Sequence, residues 1–146
     1  MKFDFDKIIR IQNIRTEISK LSEEEKRLIT PLFTDKNLIP VIHDIFAEIT
    51  NEMNRENVDN VIQRKKFIFI IMYMFSPNAL AGGKMRKGIR DEISKVTGCS
   101  TTLISHNCED IVFIYNFYGD FRKDVEVIYK EIIKKLTSIG LITMET

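Results

Sequence analysis

Apolar residues recur every three or four positions along residues 6–20 and again along residues 37–52, which predicts two amphipathic helices. The two stripes consist of Ile8, Ile11, Ile14, Ile18 and Leu21, and of Leu38, Ile42, Ile45, Phe46 and Ile49. Between them, Ser22 and Glu25 have the spacing of a capping box. This spacing predicts that a second, short helix begins at Ser22 and is disturbed by Pro31. His43 lies beside the second stripe, so we expect it to be partly buried.

Residues 58–75 predict a long helix whose second half, residues 67–75 (FIFIIMYMF), is apolar on every face. A helix without a polar face belongs inside a core, so we place this one at the centre of the fold. Pro77, Gly82 and Gly83 predict a loop within residues 76–87. Asp120 is expected to cap a last amphipathic helix. Its apolar stripe consists of Phe121, Val125, Ile128, Tyr129, Ile132 and Leu136. The hairpin dipeptides Asn-Gly and Asp-Gly are absent, and the pattern predicts an all-α fold of six or seven helices.

Two helices joined by a tight turn are predicted within residues 86–118. Gly98 can end the first helix in a left-handed conformation, and Ser100 can cap the second. Ser94 is small where the two helices would cross, and Ile104 is apolar where a side chain must fill the corner. This spacing is typical of a helix-turn-helix, which reads DNA with its second helix. The alternative is an ordinary helical hairpin with a glycine cap.

The second of these helices has an apolar stripe on one side and short polar residues on the other. The stripe consists of Ile104, Cys108, Ile111, Val112 and Tyr115. The polar residues occupy the first two turns, which are the turns that enter the major groove in a helix-turn-helix. The predicted base contacts are Thr101, Thr102, Ser105 and His106.

The formal net charge is only +1, but the charges are unevenly distributed. Residues 64–90 contain seven basic side chains and no acidic one, whereas the flanking segments are acidic. A local concentration of cations, rather than the net charge, is what phosphate binding requires. The predicted phosphate contacts are Arg64, Lys65, Lys84, Arg86, Lys87 and Arg90; the seventh cation is Lys66. The alternative is a solvated basic loop.

Composition limits the function classes that remain. Hydrophobic residues make up 44% and charged residues 29% of 146 residues, which is typical of a globular protein. The longest apolar run is too short to span a bilayer and no secretory signal is visible, so we expect a cytoplasmic protein without a membrane role. Cys99, His106 and Cys108 lack a fourth ligand at metal-site spacing. We found no catalytic pair or phosphate-binding loop, so no enzyme activity, metal or other cofactor is predicted.

A family resemblance supports DNA binding. Arg64 begins RKKFIFIIMYM, which resembles the "RxxAMYL" helix of the C-terminal, Trp-repressor-like domain of the bacterial replication initiator DnaA. The stretch GCSTTL from Gly98 resembles the part of that domain containing "HTTV", and YGDFRKDV from Tyr118 resembles its end. The resemblance covers about half the chain and implies that the helix beginning near Thr101 enters the major groove. It implies DNA binding alone, because the Arg-Asp-His that precedes the threonines in DnaA is replaced by Cys99-Ser100 and no Walker A sequence is present.

Two readings of function remain open. The first is a sequence-specific double-stranded DNA-binding protein, acting as a small regulator of transcription or replication. In this reading residues 58–146 bind DNA, and residues 1–57 are a helical region for self-association or a protein partner. The second is a non-enzymatic protein-interaction or structural protein that binds no DNA. Glu109, Asp110 and Phe113 favour it, because acidic side chains on a recognition helix repel phosphate.

Overall fold

A computed structural model of the chain describes residues 3–55 and 60–142. These residues form seven helices and no strand, which confirms the predicted all-α class. In chain order the helices are α1 (Asp6–Leu28), α2 (Leu38–Glu52), α3 (Val61–Phe75), α4 (Pro77–Leu80), α5 (Ile89–Thr97), α6 (Thr101–Phe117) and α7 (Gly119–Ser138).

The chain divides into two compact units, Met1–Thr30 and Pro31–Thr146. The first unit contains α1, and every residue of this helix is exposed. The second unit contains α2 to α7. The boundary that the sequence suggested after residue 57 falls inside the second unit, because α2 packs against α3, α5 and α7.

The prediction that Ser22 begins a second helix is wrong. α1 continues without a break from Asp6 to Leu28, and Ser22 and Glu25 lie inside it. A serine followed three residues later by glutamate is also compatible with a helix interior, because both side chains can point to solvent there. The helix ends shortly before Pro31, whose ring disfavours a helical conformation for the preceding residue.

α3 is the central helix of the second unit, as its apolar sequence predicted. It packs against α2, α4, α5, α6 and α7. Ile71 is fully buried, and in residues 67–75 only Tyr73 is exposed and only Phe69 is half-buried. Asn60 caps this helix by accepting hydrogen bonds from the amides of Ile62 and Gln63. The predicted start at residue 58 lies outside the described residues.

Helix α2 matches its predicted position to within one residue and buries the predicted stripe except for Leu38, which is half-buried. Ile39 and Thr50 are buried in addition to Ile42, Ile45, Phe46 and Ile49. His43 is half-buried, and its ring makes a T-shaped contact with the ring of Phe67 at a centroid distance of 5.2 Å. The histidine therefore contacts the edge of the core, as expected.

The turn between α5 and α6 has the local features that its sequence predicted. Gly98 is left-handed (φ 72°), and its amide donates to the carbonyl of Ser94 at 2.9 Å. The hydroxyl of Ser100 accepts from the amide of Leu103 at 3.2 Å, and Ile104 is fully buried. Ser94 also donates its hydroxyl to the carbonyl of Cys99 at 2.6 Å, so its small polar side chain ties the end of α5 to the turn.

Three predicted boundaries need correction. Residues 77–80 form the short helix α4 instead of part of a loop, because Pro77 is well suited to a first helical position. α5 begins at Ile89 rather than Arg86, because Gly88 is left-handed (φ 87°) and interrupts the helix there. Asp120 does not cap α7, which begins at Gly119 and has no side-chain cap; Asp120 lies in its first turn. The predicted stripe of α7 is buried except for Tyr129, which is half-buried.

Candidate nucleic-acid interface

Arg86 holds the loop before α5 against the rest of the second unit. Its guanidinium donates to the carbonyls of Phe33, Phe75 and Thr34 at 3.1, 3.0 and 2.8 Å. Its amide donates to the hydroxyl of the buried Ser76 at 2.9 Å. Three hydrogen bonds from its two terminal nitrogens thus go to carbonyls at the end of α3 and in the segment before α2. Arg86 is therefore a structural residue in this conformation.

The loop fixed by Arg86 and the first turn of α5 bring three cations to the start of α6. Lys84, Lys87 and Arg90 line an open depression of about 590 Å³ together with Thr101, the first residue of α6. We call this site the basic depression; its other lining residues are Met85, Arg86, Gly88 and Asp91. All three cations are exposed, and none forms an ion pair with another residue of the described ranges 3–55 and 60–142.

Lys36 is a fourth cation at this place, and no local sequence pattern indicates it. A Cβ atom built on Gly88 would lie 2.5 Å from the Nζ of Lys36, so the ammonium group lies directly beside this glycine. Lys36 is exposed and precedes α2, far from Gly88 in the sequence. The seven-cation count covered a continuous stretch of sequence and could not include a residue that only the fold brings close.

The three cations at the start of α3 differ from those at the basic depression. Lys65 pairs with Asp110 at 3.0 Å. Lys66 is buried and pairs with Asp124 at 2.8 Å, and the same carboxylate accepts from Arg55 at 2.8 Å. The hydrogen bond from Arg55, followed by the contribution of Lys66, holds the pKa of Asp124 below its usual value despite partial burial.

Arg64 also lies at this end of the basic segment and is half-buried. Its Nε is buried and has no hydrogen-bond partner among the residues that the structure describes. Of the six predicted phosphate contacts, Arg64, Lys65 and Arg86 are thus at least partly enclosed by the fold. Lys84, Lys87 and Arg90 are the three whose charged groups are open to a ligand.

The four predicted base-reading residues lie in the first two turns of α6 but are not equally accessible. Thr101, Thr102 and His106 are exposed, whereas Ser105 is half-buried. The hydroxyl of Ser105 donates to the carbonyl of Thr101 at 3.0 Å. Ser105 lines a second depression of about 360 Å³, which shares Lys84 and Arg90 with the basic depression. The two depressions therefore adjoin along the first turns of α6.

Acidic and aromatic side chains also lie on the exposed face of α6. The Oε2 of Glu109 lies 3.9 Å from the Nδ1 of His106, within one turn of the predicted base contacts. Further along the helix, Phe113 and Phe117 are 55% and 70% exposed, with their ring centroids 4.6 Å apart. Cations thus surround the beginning of the helix, while its second half presents an aromatic pair to solvent.

The cysteines of this region are not arranged as a metal site. Cys99 and Cys108 are both half-buried, and burial raises the pKa of the Cys108 thiol to about 11. The thiol of Cys108 is therefore protonated at neutral pH. Within the part of the chain that the structure describes, no group of three or more His, Cys, Asp or Glu side chains could hold a metal ion.

None of the helices in residues 3–55 and 60–142 is both long enough and apolar enough to cross a bilayer.

Relatives do not add to this picture. Comparisons of the chain with protein-family models, with curated proteins and with solved structures each gave no match. The resemblance to the DnaA domain therefore stays a prediction from short motifs. Function must be argued from the placement of individual side chains, above all those around the basic depression.

Proposed function

We propose that this chain binds double-stranded DNA as a small regulator of transcription or replication, with α5 and α6 acting as a helix-turn-helix. The observation that carries the proposal is the basic depression, where Lys84, Lys87 and Arg90 lie beside Thr101 at the start of α6. Cations beside a helix N-terminus fit phosphate, because the free amide groups of the first turn add partial positive charge. The DnaA-like motifs found in the sequence point to the same helix.

In this proposal the phosphate contacts and the base contacts come from different elements. Lys84, Lys87 and Arg90, with Lys36 beside them, hold the backbone and set the position of α6. Thr101, Thr102 and His106 face the base edges, since only the opening turns of a recognition helix reach them. A threonine can offer a hydroxyl to a base or a methyl group to thymine, and a histidine can donate or accept.

The salt dependence of binding tests the phosphate contacts. We expect the triple variant Lys84→Ala, Lys87→Ala, Arg90→Ala to bind all duplex sequences more weakly. The slope of log K against log salt should fall by about one unit for each lost contact. Fluorescence anisotropy on mixed genomic fragments at several salt concentrations measures both quantities.

A second triple variant, Lys123→Ala, Lys130→Ala, Lys134→Ala, is the matched control. It removes the same charge from exposed positions of α7 that line neither depression beside α6. Its salt slope should equal that of the parent. If the two triple variants have equal slopes, the basic depression is not the DNA-binding surface.

A selection from randomised duplexes tests the base contacts. Thr102→Ala and His106→Ala should each lose roughly 1–3 kcal/mol on the preferred site if a good base contact is removed, with little change in non-specific affinity. Asn116→Ala, an exposed change at the other end of α6, is the control. Recovery of the same motif by all four proteins would mean that this helix does not read bases.

The second candidate function is protein interaction without DNA binding. The exposed pair of Phe113 and Phe117 favours it, because aromatic residues are enriched at the centres of protein interfaces. Glu109 favours it as well, since its carboxylate lies next to His106 and would repel a phosphate. Absence of binding to genomic fragments at low salt, where phosphate contacts are strongest, would reject the DNA proposal and leave this one.

A further inference from the structure

α1 has an apolar stripe that no part of its own unit covers. Ile11, Ile14, Ile18 and Leu21 follow one another at alternating spacings of three and four residues, which is the a/d pattern of a coiled coil. The four side chains are between 36% and 64% exposed, although the helix is 23 residues long. A single helix in water gains little from such a stripe, so the pattern requires a partner surface.

Two opposite charges bound the stripe. The same heptad positions continue to Lys7 on the N-terminal side, and to Glu25 and then the helix-ending Leu28 on the C-terminal side. Lys7 and Glu25 are equally far, in the heptad pattern, from the midpoint between Ile14 and Ile18. The stripe therefore has approximate symmetry under reversal of direction, with apolar residues in the middle and a cation and an anion at its ends.

We infer that α1 pairs in antiparallel direction with α1 of a second copy of this chain. With the two helices centred on this midpoint, Ile14 faces Ile18 of the other copy and Ile11 faces its Leu21. Lys7 then faces Glu25 of the other copy, and this pairing occurs twice because the dimer is symmetric. The flanking Arg10 faces Glu24 of the other copy, again twice.

A parallel pair would place the same charges against themselves. Lys7 would face Lys7 and Glu25 would face Glu25 in the seam, and Arg10 would lie beside Arg15 of the other copy. The antiparallel pair also brings like charges together near the symmetry axis. Glu17 faces Glu17 of the other copy, and Arg15 faces Arg15 of the other copy. These two contacts lie at the flanks of the seam, where solvent screens them. Opposite charges thus meet at four places in the antiparallel pair.

This inference is independent of DNA binding and is tested by the oligomeric state of the full chain. Sedimentation equilibrium or light scattering over a range of concentrations should give twice the monomer mass of 17.1 kDa at high concentration. The double variant Ile14→Asp, Ile18→Asp should be monomeric. Asn13→Asp, Thr16→Asp adds the same charge to the opposite face of α1 and should dimerise like the parent. Thermal unfolding of the second unit should be unchanged in both, because no α1 residue is buried.

Charge reversal tests the direction of pairing. Lys7→Glu and Glu25→Lys should each weaken the dimer, by roughly tenfold for two exposed pairs turned from attraction to repulsion. The variant carrying both reversals should regain the affinity of the parent, since opposite charges face each other again. In a parallel dimer each reversal merely exchanges one like pair for another. The inference is overturned by a parent that stays monomeric, by a dimer that survives Ile14→Asp, Ile18→Asp, or by a double reversal that restores nothing.

Discussion

The two ends of the basic segment, residues 64–90, have the same sequence character but different surroundings. At the α3 end, Lys65 and Lys66 form ion pairs with Asp110 and Asp124. At the α5 end, Lys84, Lys87 and Arg90 form no ion pair with any described residue and line the basic depression. The α5 end therefore presents exposed cations that a phosphate could approach directly.

The difference follows from what each end is packed against. α3 is the central helix, so side chains at its start lie between α6 and α7, and the acidic residues of those helices meet them. A charge enclosed in this way must be paired, because an unpaired buried ion is strongly unfavourable. The loop before α5 lies at the surface, where water solvates a cation without a partner. A count of charges along the chain therefore overestimates the charge available for binding.

The largest effect on stability should come from Asp124, which pairs with the buried Lys66 at the α3 end of the basic segment. Asp124→Ala leaves the ammonium of Lys66 buried without its carboxylate, since this side chain is only 7% exposed. We expect a loss of about 3 kcal/mol in the free energy of unfolding. Urea unfolding at pH 7 measures this loss. Asp120→Ala, an exposed carboxylate one turn earlier in α7, is the control and should change stability by less than about 0.5 kcal/mol. Equal losses in both variants would mean that Lys66 does not depend on Asp124.

A smaller effect on stability is expected at Arg86. This residue lies near the α5 end of the basic segment but, like Lys65 and Lys66, it is bonded to groups within the fold. Arg86→Ala removes the donors to the carbonyls of Phe33, Phe75 and Thr34. We expect the free energy of unfolding to fall by about 2 kcal/mol, because water replaces only some of these hydrogen bonds. Lys87→Ala, its exposed neighbour, should leave stability nearly unchanged. The salt slope of DNA binding should respond in the opposite way, with Lys87→Ala lowering it and Arg86→Ala leaving it unchanged below the unfolding temperature. A lowered slope in Arg86→Ala would assign this residue to the DNA surface.

Falling pH should gradually remove the stabilisation that Asp124 provides at the α3 end of the basic segment. The pKa of Asp124 is held below its usual value, chiefly by the hydrogen bond from Arg55. A group whose pKa is lower in the folded state stabilises the fold above its unfolded pKa of about 3.9, and the stabilisation is lost as pH falls through the folded pKa. The stability difference between the parent and Asp124→Asn should thus be constant from pH 7 to about pH 5 and should shrink below about pH 4. Urea unfolding at several pH values checks this, and a difference that grows on acidification would contradict it.

The sequence predicted those features that depend on neighbouring residues. Gly98, Ser100 and Ile104 have the conformation, cap and burial that the turn between α5 and α6 suggested, because these depend on a few consecutive positions. The central place of α3 followed from its composition alone. Ser22 was misread because a capping-box spacing does not by itself distinguish a helix start from a helix interior.

The roles of individual cations depend on distant parts of the chain. Arg86 donates to a carbonyl 53 residues away, and Lys66 pairs with a carboxylate 58 residues away. Lys36 comes to Gly88 only through the packing of the second unit. No local pattern distinguishes these residues from Lys84 or Lys87, so the sequence could predict a basic surface but not its members. The DNA-reading role of α6 remains a prediction for the binding experiments.

The smallest effect on stability should come from the three exposed cations at the α5 end of the basic segment. Lys84→Ala, Lys87→Ala, Arg90→Ala removes no ion pair that the described residues contain, and it relieves repulsion among cations around one depression. We expect the free energy of unfolding to stay within about 0.5 kcal/mol of the parent, or to rise slightly at low salt. Urea unfolding at low and high salt measures this, and a loss above about 1 kcal/mol would mean that the fold depends on these charges. Side chains that do not stabilise the fold are available to bind a ligand. An unchanged stability together with a lower salt slope in DNA binding would therefore distinguish the two ends by function as well as by packing.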